Sequence, residues 1–301
     1  MSTAQPICAG CIGVNALACM IQLTAAGQSM NAQDMEVIGI LRFSYPALGG
    51  FQILHDTVQD RRDFLYAPAR MEERFRTFEA LTLPGLKAQT DPNFKLLIVI
   101  GDCLPDLYQD RLFALLEDFP QAIVVPWPAQ KHRPAMREIM NHYRNPEATL
   151  PCIQFRHDDD DALAVNYVET LRQTVNDCAA LIADKPLFGI DFSNGYSVRL
   201  TPNGLEAAHT VLPYYGVALA MTVAPGFRQS IMNFAHHKLM KHMPTVSLNN
   251  PPMFLRSHGA YNDSHVGTPP DNLDFKLLNE KQERRFKRRF AIDSDYVRSL
   301  F

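Results

Sequence analysis

The sequence lacks several features that mark membrane, secreted or nucleic-acid-binding proteins. It has neither an apolar run suited to spanning a membrane nor a basic segment ahead of one, so we expect no spanning helix and no secretory signal. Six cysteines in 301 residues do not resemble a disulfide framework, which favours a reducing cytoplasm. A formal net charge of -3 gives no support for a general nucleic-acid role.

Positive charge is absent from the beginning of the chain, where the first basic residue is Arg42. Cys8 and Cys11 have the spacing of a redox or zinc pair, but no second pair follows them, so we assign them no role. We predict that residues 1–34 form an accessory or disordered segment.

From residue 35 onward, apolar strand patterns alternate with amphipathic helix patterns. The predicted strands are 36–43, 94–100 and 122–125, and the predicted helices begin at Pro68, at 105 and at Pro134. With 47% hydrophobic residues, the chain can bury a substantial core. The alternation predicts an α/β fold with a doubly wound nucleotide-binding half over residues 35–161.

The pattern changes in the second half, residues 162–270. An apolar stripe from Leu163 to Cys178 predicts a helix, and 217–223 predicts another strand. The segments 187–192 and 196–200 flank Ser193-Asn194-Gly195, which predicts a β-hairpin. We therefore expect an α+β half that binds an acceptor.

The last segment, residues 271–301, predicts a basic helix and tail. Its cations and aromatics give an amphipathic pattern, in which a basic face can rest on anionic lipid or remain solvated. We expect a cytoplasmic protein that can lie at the inner face of the membrane through peripheral contact of this helix. Segments 225–229 and 249–271 are predicted lids.

An acidic run at the boundary of the two halves is the strongest candidate for a site. A strand-like run from Ile153 ends in Asp158, Asp159, Asp160 and Asp161. Adjacent carboxylates repel one another, so an ordered fold needs a cation to join them. The alternative is a solvated acidic turn that caps the next helix. If the backbone stays extended, side chains alternate and the run offers two carboxylates on each face.

The position of this run favours a metal site. It follows a buried strand and precedes a helix, where open α/β sheets bind ligands. Magnesium takes one or two protein carboxylates and fills its other positions with water and phosphate oxygens, which suits a nucleotide diphosphate. We predict Mg²⁺ or Mn²⁺ held by Asp158 and Asp160, although Asp159 and Asp161 have the same spacing.

A series of motifs carries a family resemblance. In order they are Arg42-Phe-Ser-Tyr45, Arg74-Phe, Phe78-Glu79, Thr82-Leu-Pro84, Gln89-Thr-Asp91, Ile98-Val-Ile-Gly-Asp102 and Arg156-His-Asp-Asp-Asp-Asp161. Over roughly residues 36–290 the chain resembles the bacterial putative rhamnosyltransferase family, and more broadly it is similar to GT-A glycosyltransferases. This implies a GT-A-like fold and a metal-dependent transfer of a sugar, by the label rhamnose, from a nucleotide-diphosphate sugar to a glycan or other hydroxyl acceptor.

The resemblance also implies roles for individual residues. Asp102 resembles an acid that contacts the donor base, while Asp158 and Asp160 resemble the Asp-x-Asp pair on ribose and metal. Arg133 lies where GT-A proteins approach the nucleotide, and His258 resembles a late histidine on the metal. Asp102 could instead cap the next helix, and Arg133 could belong to a solvated face.

Three further residues complete the predicted donor site. Arg42 ends a buried strand, so its guanidinium needs a carboxylate or phosphate partner, which the acidic run could provide. Ser44 lies in the polar turn that follows, and Arg156 directly precedes the acids.

An inverting displacement needs a base on the acceptor side, and we predict Asp191 or Asp263 for this role. The histidines at 236, 237 and 242 are assigned no role, because helix histidines are commonly structural and no HExxH pattern is present. The alternative function is a non-catalytic module that binds a nucleotide or divalent ion, and an aspartyl phosphatase is a weaker third.

Overall fold

The computed structural model describes residues 31–49, 56–259 and 273–301. The strands of this part are β1 (Val37–Arg42), β2 (Lys95–Gly101), β3 (Ala122–Trp127), β4 (Cys152–Asp158), β5 (Asp161–Leu163), β6 (Leu187–Phe192), β7 (Asn194–Thr201), β8 (Gly204–Val211), β9 (Leu219–Val223), β10 (Thr245–Leu248), β11 (Phe254–Ser257) and β12 (Lys276–Leu277). They form two sheets, which the helices flank.

The α-helices of the described residues are α1 (Val58–Leu65), α2 (Pro68–Thr77), α3 (Leu83–Lys87), α4 (Asp106–Leu116), α5 (His132–Tyr143), α6 (Tyr167–Asp177), α7 (Ala179–Ile182), α8 (Glu280–Phe290) and α9 (Ser294–Leu300). A π-helical turn, Phe78–Thr82, joins α2 to α3, and a 3₁₀ helix spans His236–Lys241. None of the described helices is both long and apolar enough to cross a membrane.

The larger sheet has the strand order β10-β6-β9-β4-β1-β2-β3. Strands β1 to β4 are parallel, whereas β9 runs antiparallel to both β4 and β6. The carboxyl ends of β1 and β4 therefore lie side by side, with Arg42 paired in register with Asp158. The predicted α/β fold and its parallel sheet are confirmed.

Both faces of this sheet are covered, which explains the nearly continuous apolar runs of its central strands. On one face Met71, Phe75 and Phe78 pack into the core, and on the other Met136 and Ile139 of α5 do so. Burial of these side chains supplies most of the driving force that places the helices.

The acidic run connects the two sheets. Asp158 ends β4 in the larger sheet, and Asp161 begins β5 in the smaller sheet, whose order is β12-β8-β7-β11-β5. The helix predicted from the stripe that starts at Leu163 begins only at Tyr167, as α6, so the acids do not lie at its N-terminus. Strand β5 intervenes because Asp161 to Leu163 pair with β11.

The predicted hairpin around Ser193-Asn194-Gly195 is also wrong. Strand β6 pairs with β9 and β10, while β7 belongs to the other sheet, so the chain changes sheets at this point. Ser193-Asn194-Gly195 therefore leads the chain from the larger sheet to the smaller one and does not form a hairpin turn. The hairpin of this region is β7–β8, which closes at the pair Thr201 and Gly204.

The folded body begins before residue 35. Ala32 is buried, and its backbone carbonyl accepts a hydrogen bond from the guanidinium of Arg172. At the other end of the chain, Phe286 and Phe290 of α8 are buried, and Phe286 packs on Tyr196 with ring centroids 4.9 Å apart. The apolar face of the basic helix is therefore used for packing within the protein.

Candidate functional site

A cavity of about 310 Å³ lies where β1 and β4 end. Five arginines line it, namely Arg42, Arg74, Arg133, Arg156 and Arg256. Three carboxylates, Asp158, Asp159 and Asp160, and three histidines, His132, His236 and His237, share the lining. We call this space the arginine-rich cavity. It unites side chains from both halves of the sequence.

The acids of the cavity are held by ion pairs. Arg42 donates to Asp158 at 2.8 Å, and Arg156 lies 3.7 Å from the same carboxylate. Arg74 bridges Asp159 and Asp160 at 2.8 and 2.9 Å. The prediction that a cation joins the acids is met here by guanidinium groups, and the predicted carboxylate partner of Arg42 is confirmed.

The backbone does not stay extended through the acids. Asp159 and Asp160 form a turn between β4 and β5, so the predicted alternation of faces is wrong. Three successive acids, Asp158 to Asp160, line the cavity, while Asp161 accepts a hydrogen bond from the Ser257 amide at 3.2 Å. The turn itself is stabilised by Thr82, whose hydroxyl donates to the Asp159 carbonyl at 3.0 Å.

The loop after β1 is shaped to meet these acids. Ser44 has a positive φ of 46°, a conformation that costs free energy for a residue other than glycine. In this conformation its amide donates to Asp159 at 3.3 Å, while Arg70 donates to its hydroxyl at 3.1 Å. The surrounding contacts hold the strained residue at the edge of the cavity.

Two electrostatic effects define the state of the site. Burial would raise the pKa of Asp158, but Arg42 and Arg156 hold it well below its usual value, so the carboxylate is charged. Burial, followed by the nearby Arg42 and Arg156, lowers the pKa of His132 to about 2. His132 is therefore neutral, and its Nε2 can accept from Arg42 at 3.2 Å.

The structure brings six of the predicted residues to this cavity. They are Arg42, Ser44, Arg133, Arg156, Asp158 and Asp160. Asp102 is exposed in the turn after β2 and is not among the lining residues, so its contact with a donor base stays a prediction. Asp263 lies outside the described residues.

Asp191 is placed elsewhere. It is fully buried in β6 and accepts hydrogen bonds at one oxygen from the Ser247 hydroxyl at 2.6 Å and the Tyr214 amide at 3.0 Å. Burial raises its pKa. It does not line the cavity, which argues against direct proton transfer from an acceptor.

The predicted metal ligands are only partly brought together. Asp158 and Asp160 line the same cavity. His258 instead follows β11, and its ring packs against Phe275 with ring centroids 5.8 Å apart. Within residues 31–49, 56–259 and 273–301, no cluster of three His, Cys, Asp or Glu side chains is arranged for a metal ion. Of the predicted ligands, the two carboxylates of Asp158 and Asp160 remain in the cavity. Two carboxylates suit a divalent cation whose other coordination positions are filled by water and phosphate oxygens.

Several lining residues were not assigned a role from sequence. Arg74 is a buried cation among the charged residues of α2, whereas Arg256 is a half-buried cation that directly follows the apolar residues Phe254 and Leu255. His236 and His237 were set aside as structural, yet both line the cavity. The spacing of the tandem histidines in the sequence does not predict their approach to the cavity acids, which lie 76 or more residues earlier.

Comparisons with known proteins identify a family that matches most of the chain. A family model described as "Putative rhamnosyl transferase" matches residues 36–270. Among solved structures, residues 1–349 of S. aureus TarS are 12% identical at a TM-score of 0.38, covering 74% of this chain and 60% of that chain. The same segment in complex with UDP-GlcNAc is 12% identical at a TM-score of 0.40, covering 76% and 60%. The chain thus spans about 60% of these structures. No curated protein sequence matches it.

Proposed function

The chain belongs to the putative rhamnosyl transferase family, and from that membership we propose that it is a glycosyltransferase that binds a nucleotide-sugar donor in the arginine-rich cavity. The transferred sugar is rhamnose by the family description, and a hydroxyl group of a glycan or another molecule accepts it.

One observation carries the proposal. Five guanidinium groups and three carboxylates line the cavity, so cations outnumber anions by two. A diphosphate is the anion that such an excess favours, because guanidinium groups bind phosphate oxygens with paired, charge-assisted hydrogen bonds. The cavity also lies at the carboxyl ends of parallel strands, where α/β proteins bind nucleotides.

Arg156 is suited to contact this diphosphate. Its Nε is buried and has no hydrogen-bond partner among the described residues, although its Nη2 lies 3.7 Å from Asp158. A buried donor without a partner costs free energy, which a ligand oxygen would recover. Arg42 could likewise move from Asp158 to a phosphate oxygen without losing a charged partner.

Magnesium or manganese fits as a second source of positive charge. Asp158 and Asp160 would hold the ion together with diphosphate oxygens, and it would stabilise the negative charge of the leaving nucleoside diphosphate. In that arrangement Arg42 and Arg74 must release part of their contact with these carboxylates. His258 remains a predicted ligand for the same ion.

We propose an inverting displacement. The acceptor oxygen forms its bond to the anomeric carbon from the face opposite the diphosphate, and the bond to the phosphate oxygen breaks with its electron pair. The arginines orient the donor and stabilise the charge that develops on the departing oxygen. The acceptor could come from a membrane, where the exposed cations of α8 would be attracted to anionic lipid.

The test is a panel of UDP-, dTDP- and GDP-linked sugars, screened by thermal shift with and without manganese and then by release of nucleoside diphosphate. We expect one donor to raise the melting temperature and to undergo slow metal-dependent hydrolysis. Stabilisation without any turnover would instead support the non-catalytic binding module.

The donor site is tested by Asp160→Asn, which preserves shape and removes charge. We expect turnover to fall by at least about 100-fold, because charge stabilisation in the transition state is lost. Asp118→Asn is the matched control, since Asp118 is also ion-paired, to Lys87, but its side chain is 75% exposed and outside the cavity. Wild-type turnover by Asp160→Asn at low metal concentration would contradict the metal proposal.

A further inference from the structure

His236 stands out among the cavity residues because its tautomer is determined by its partner. Its Nδ1 lies 2.6 Å from the backbone carbonyl oxygen of Tyr214. A carbonyl oxygen can only accept a hydrogen bond, so Nδ1 carries the proton. In the neutral ring the lone pair is then on Nε2, the form in which a histidine acts as a base.

The position of the ring is also determined. Gly216 lines the cavity with a φ of +98°, and a Cβ added there would lie 3.1 Å from Cγ of His236. The imidazole therefore packs directly on the glycine backbone. Any larger residue at position 216 would press on the ring and strain the backbone.

Asp191 supports this arrangement from behind. The Asp191 carboxylate accepts a hydrogen bond from the Tyr214 amide, and the Tyr214 carbonyl accepts one from Nδ1 of His236. Tyr214 has a positive φ of 56°, so the peptide groups on its two sides are held in a costly conformation that these bonds stabilise. Asp191 is thus a positioning residue for His236.

Burial, together with the nearby cations, keeps the ring neutral. Burial lowers the pKa of His236, the Tyr214 bond opposes this, and Arg156, His237 and Arg256 lower the pKa further. A bound diphosphate would offset the two guanidinium charges. The base would then gain proton affinity in the complex with donor, where a proton must be accepted.

We propose that His236, and not Asp191 or Asp263, is the general base for the transfer. This inference rests on the proposed function. The acceptor oxygen forms a bond to the anomeric carbon, the carbon–phosphate-oxygen bond breaks onto the diphosphate, and the hydroxyl proton moves to Nε2. The resulting imidazolium later releases that proton to solvent.

His236→Asn is the sharpest variant, because the asparagine amide nitrogen can replace Nδ1 as donor to Tyr214 while no group replaces Nε2. We expect kcat for hydrolysis of the donor identified in the panel to fall at least about 100-fold. The thermal shift by that donor should remain. His242→Asn is the matched control, as His242 directly follows the same 3₁₀ helix, is exposed and does not line the cavity.

The pH profile gives a second readout. In the wild type kcat/KM should rise with pH as His236 loses its proton, with the midpoint below the ordinary histidine value because its pKa is lowered by burial. His236→Asn should lose this limb. Free imidazole should restore part of the activity of His236→Ala but not of Asp191→Ala.

The outcomes separate the two proposals. If the wild type turns over a donor and His236→Asn stays within about threefold of it at the same affinity, the base assignment is overturned, since base catalysis contributes about 100-fold or more. A larger loss of kcat in Asp191→Asn or Asp263→Asn than in His236→Asn has the same consequence. If the wild type neither binds nor hydrolyses any donor, the proposed function itself fails, and the assignment with it.

Discussion

Two groups of buried arginine contacts in this protein differ in what accepts their hydrogen bonds. Arg172 of α6 is fully buried, and its donors go to Asp91 and to backbone carbonyls of Ala32, Met35 and Asn93. In the arginine-rich cavity, by contrast, Arg74 pairs with the carboxylates of Asp159 and Asp160. Both groups are buried charges that have partners, and Arg74 lines the arginine-rich cavity.

The difference separates a structural role from a functional one. Backbone carbonyls cannot move away without disrupting the fold. Arg172 therefore joins α6 permanently to the segment around Ala32 and Met35 and to the segment before β2. Carboxylate side chains can exchange one cation for another at small cost to the fold. The contacts of the cavity are therefore suited to opening for a diphosphate or a divalent ion, and those of Arg172 are not.

The largest effect on stability is expected for Arg172→Met. The change leaves Asp91 and several buried carbonyls without their donor, which should cost about 3 kcal/mol or more of unfolding free energy. Urea unfolding followed by circular dichroism measures this loss. Arg137→Met is the matched control, because Arg137 is exposed on α5. A loss of less than about 1 kcal/mol would show that carbonyl acceptors do not make this arginine structural.

Arg156→Met should show the reverse pattern. We expect a smaller loss of stability than for Arg172→Met, because Asp158 keeps its 2.8 Å contact with Arg42. Donor affinity should fall by about 10-fold or more, since a charge-assisted hydrogen bond to phosphate is lost. Calorimetric titration with the donor measures the affinity. Unchanged affinity together with a large loss of stability would place Arg156 in the structural class.

The same distinction explains what the sequence could predict. The strand β2 and the acids that follow β4 were predictable because apolar runs and punctuating polar residues report local structure. The path after Asp158 was not, because the pairing of β5 with β11 joins residues 91 or more positions apart. Likewise, the turn at Ser193 looks like a hairpin locally, and only the pairing of β6 with β9 reveals that the chain changes sheets there.

Site residues followed the same division. Arg42, Arg156 and the acids could be predicted because they end strands of one parallel sheet, whose carboxyl ends meet at one edge. His236 could not, because its approach depends on the glycine at 216 and on the backbone of Tyr214. The base was expected to be a carboxylate, whereas Asp191 is buried behind the histidine that it positions.

The smallest effect on stability is expected for substitutions of the arginines of α8. Arg289 belongs with Arg172, because its Nε donates to the Pro252 carbonyl at 2.7 Å. Arg284, Arg285 and Arg288 are exposed, so replacing these three with Gln should change the unfolding free energy by no more than about 0.5 kcal/mol.

Their expected role is electrostatic attraction to lipid. The triple variant should lose binding to vesicles that contain anionic lipid, and the wild-type binding should weaken as salt rises. Because the apolar face of α8 is buried, binding should not survive in high salt. The control replaces Arg137, Lys238 and Lys241, also exposed, with Gln and removes the same charge. Equal loss in both variants would mean that net charge, and not the face of α8, attracts the membrane, and salt-resistant binding would mean that another apolar surface inserts.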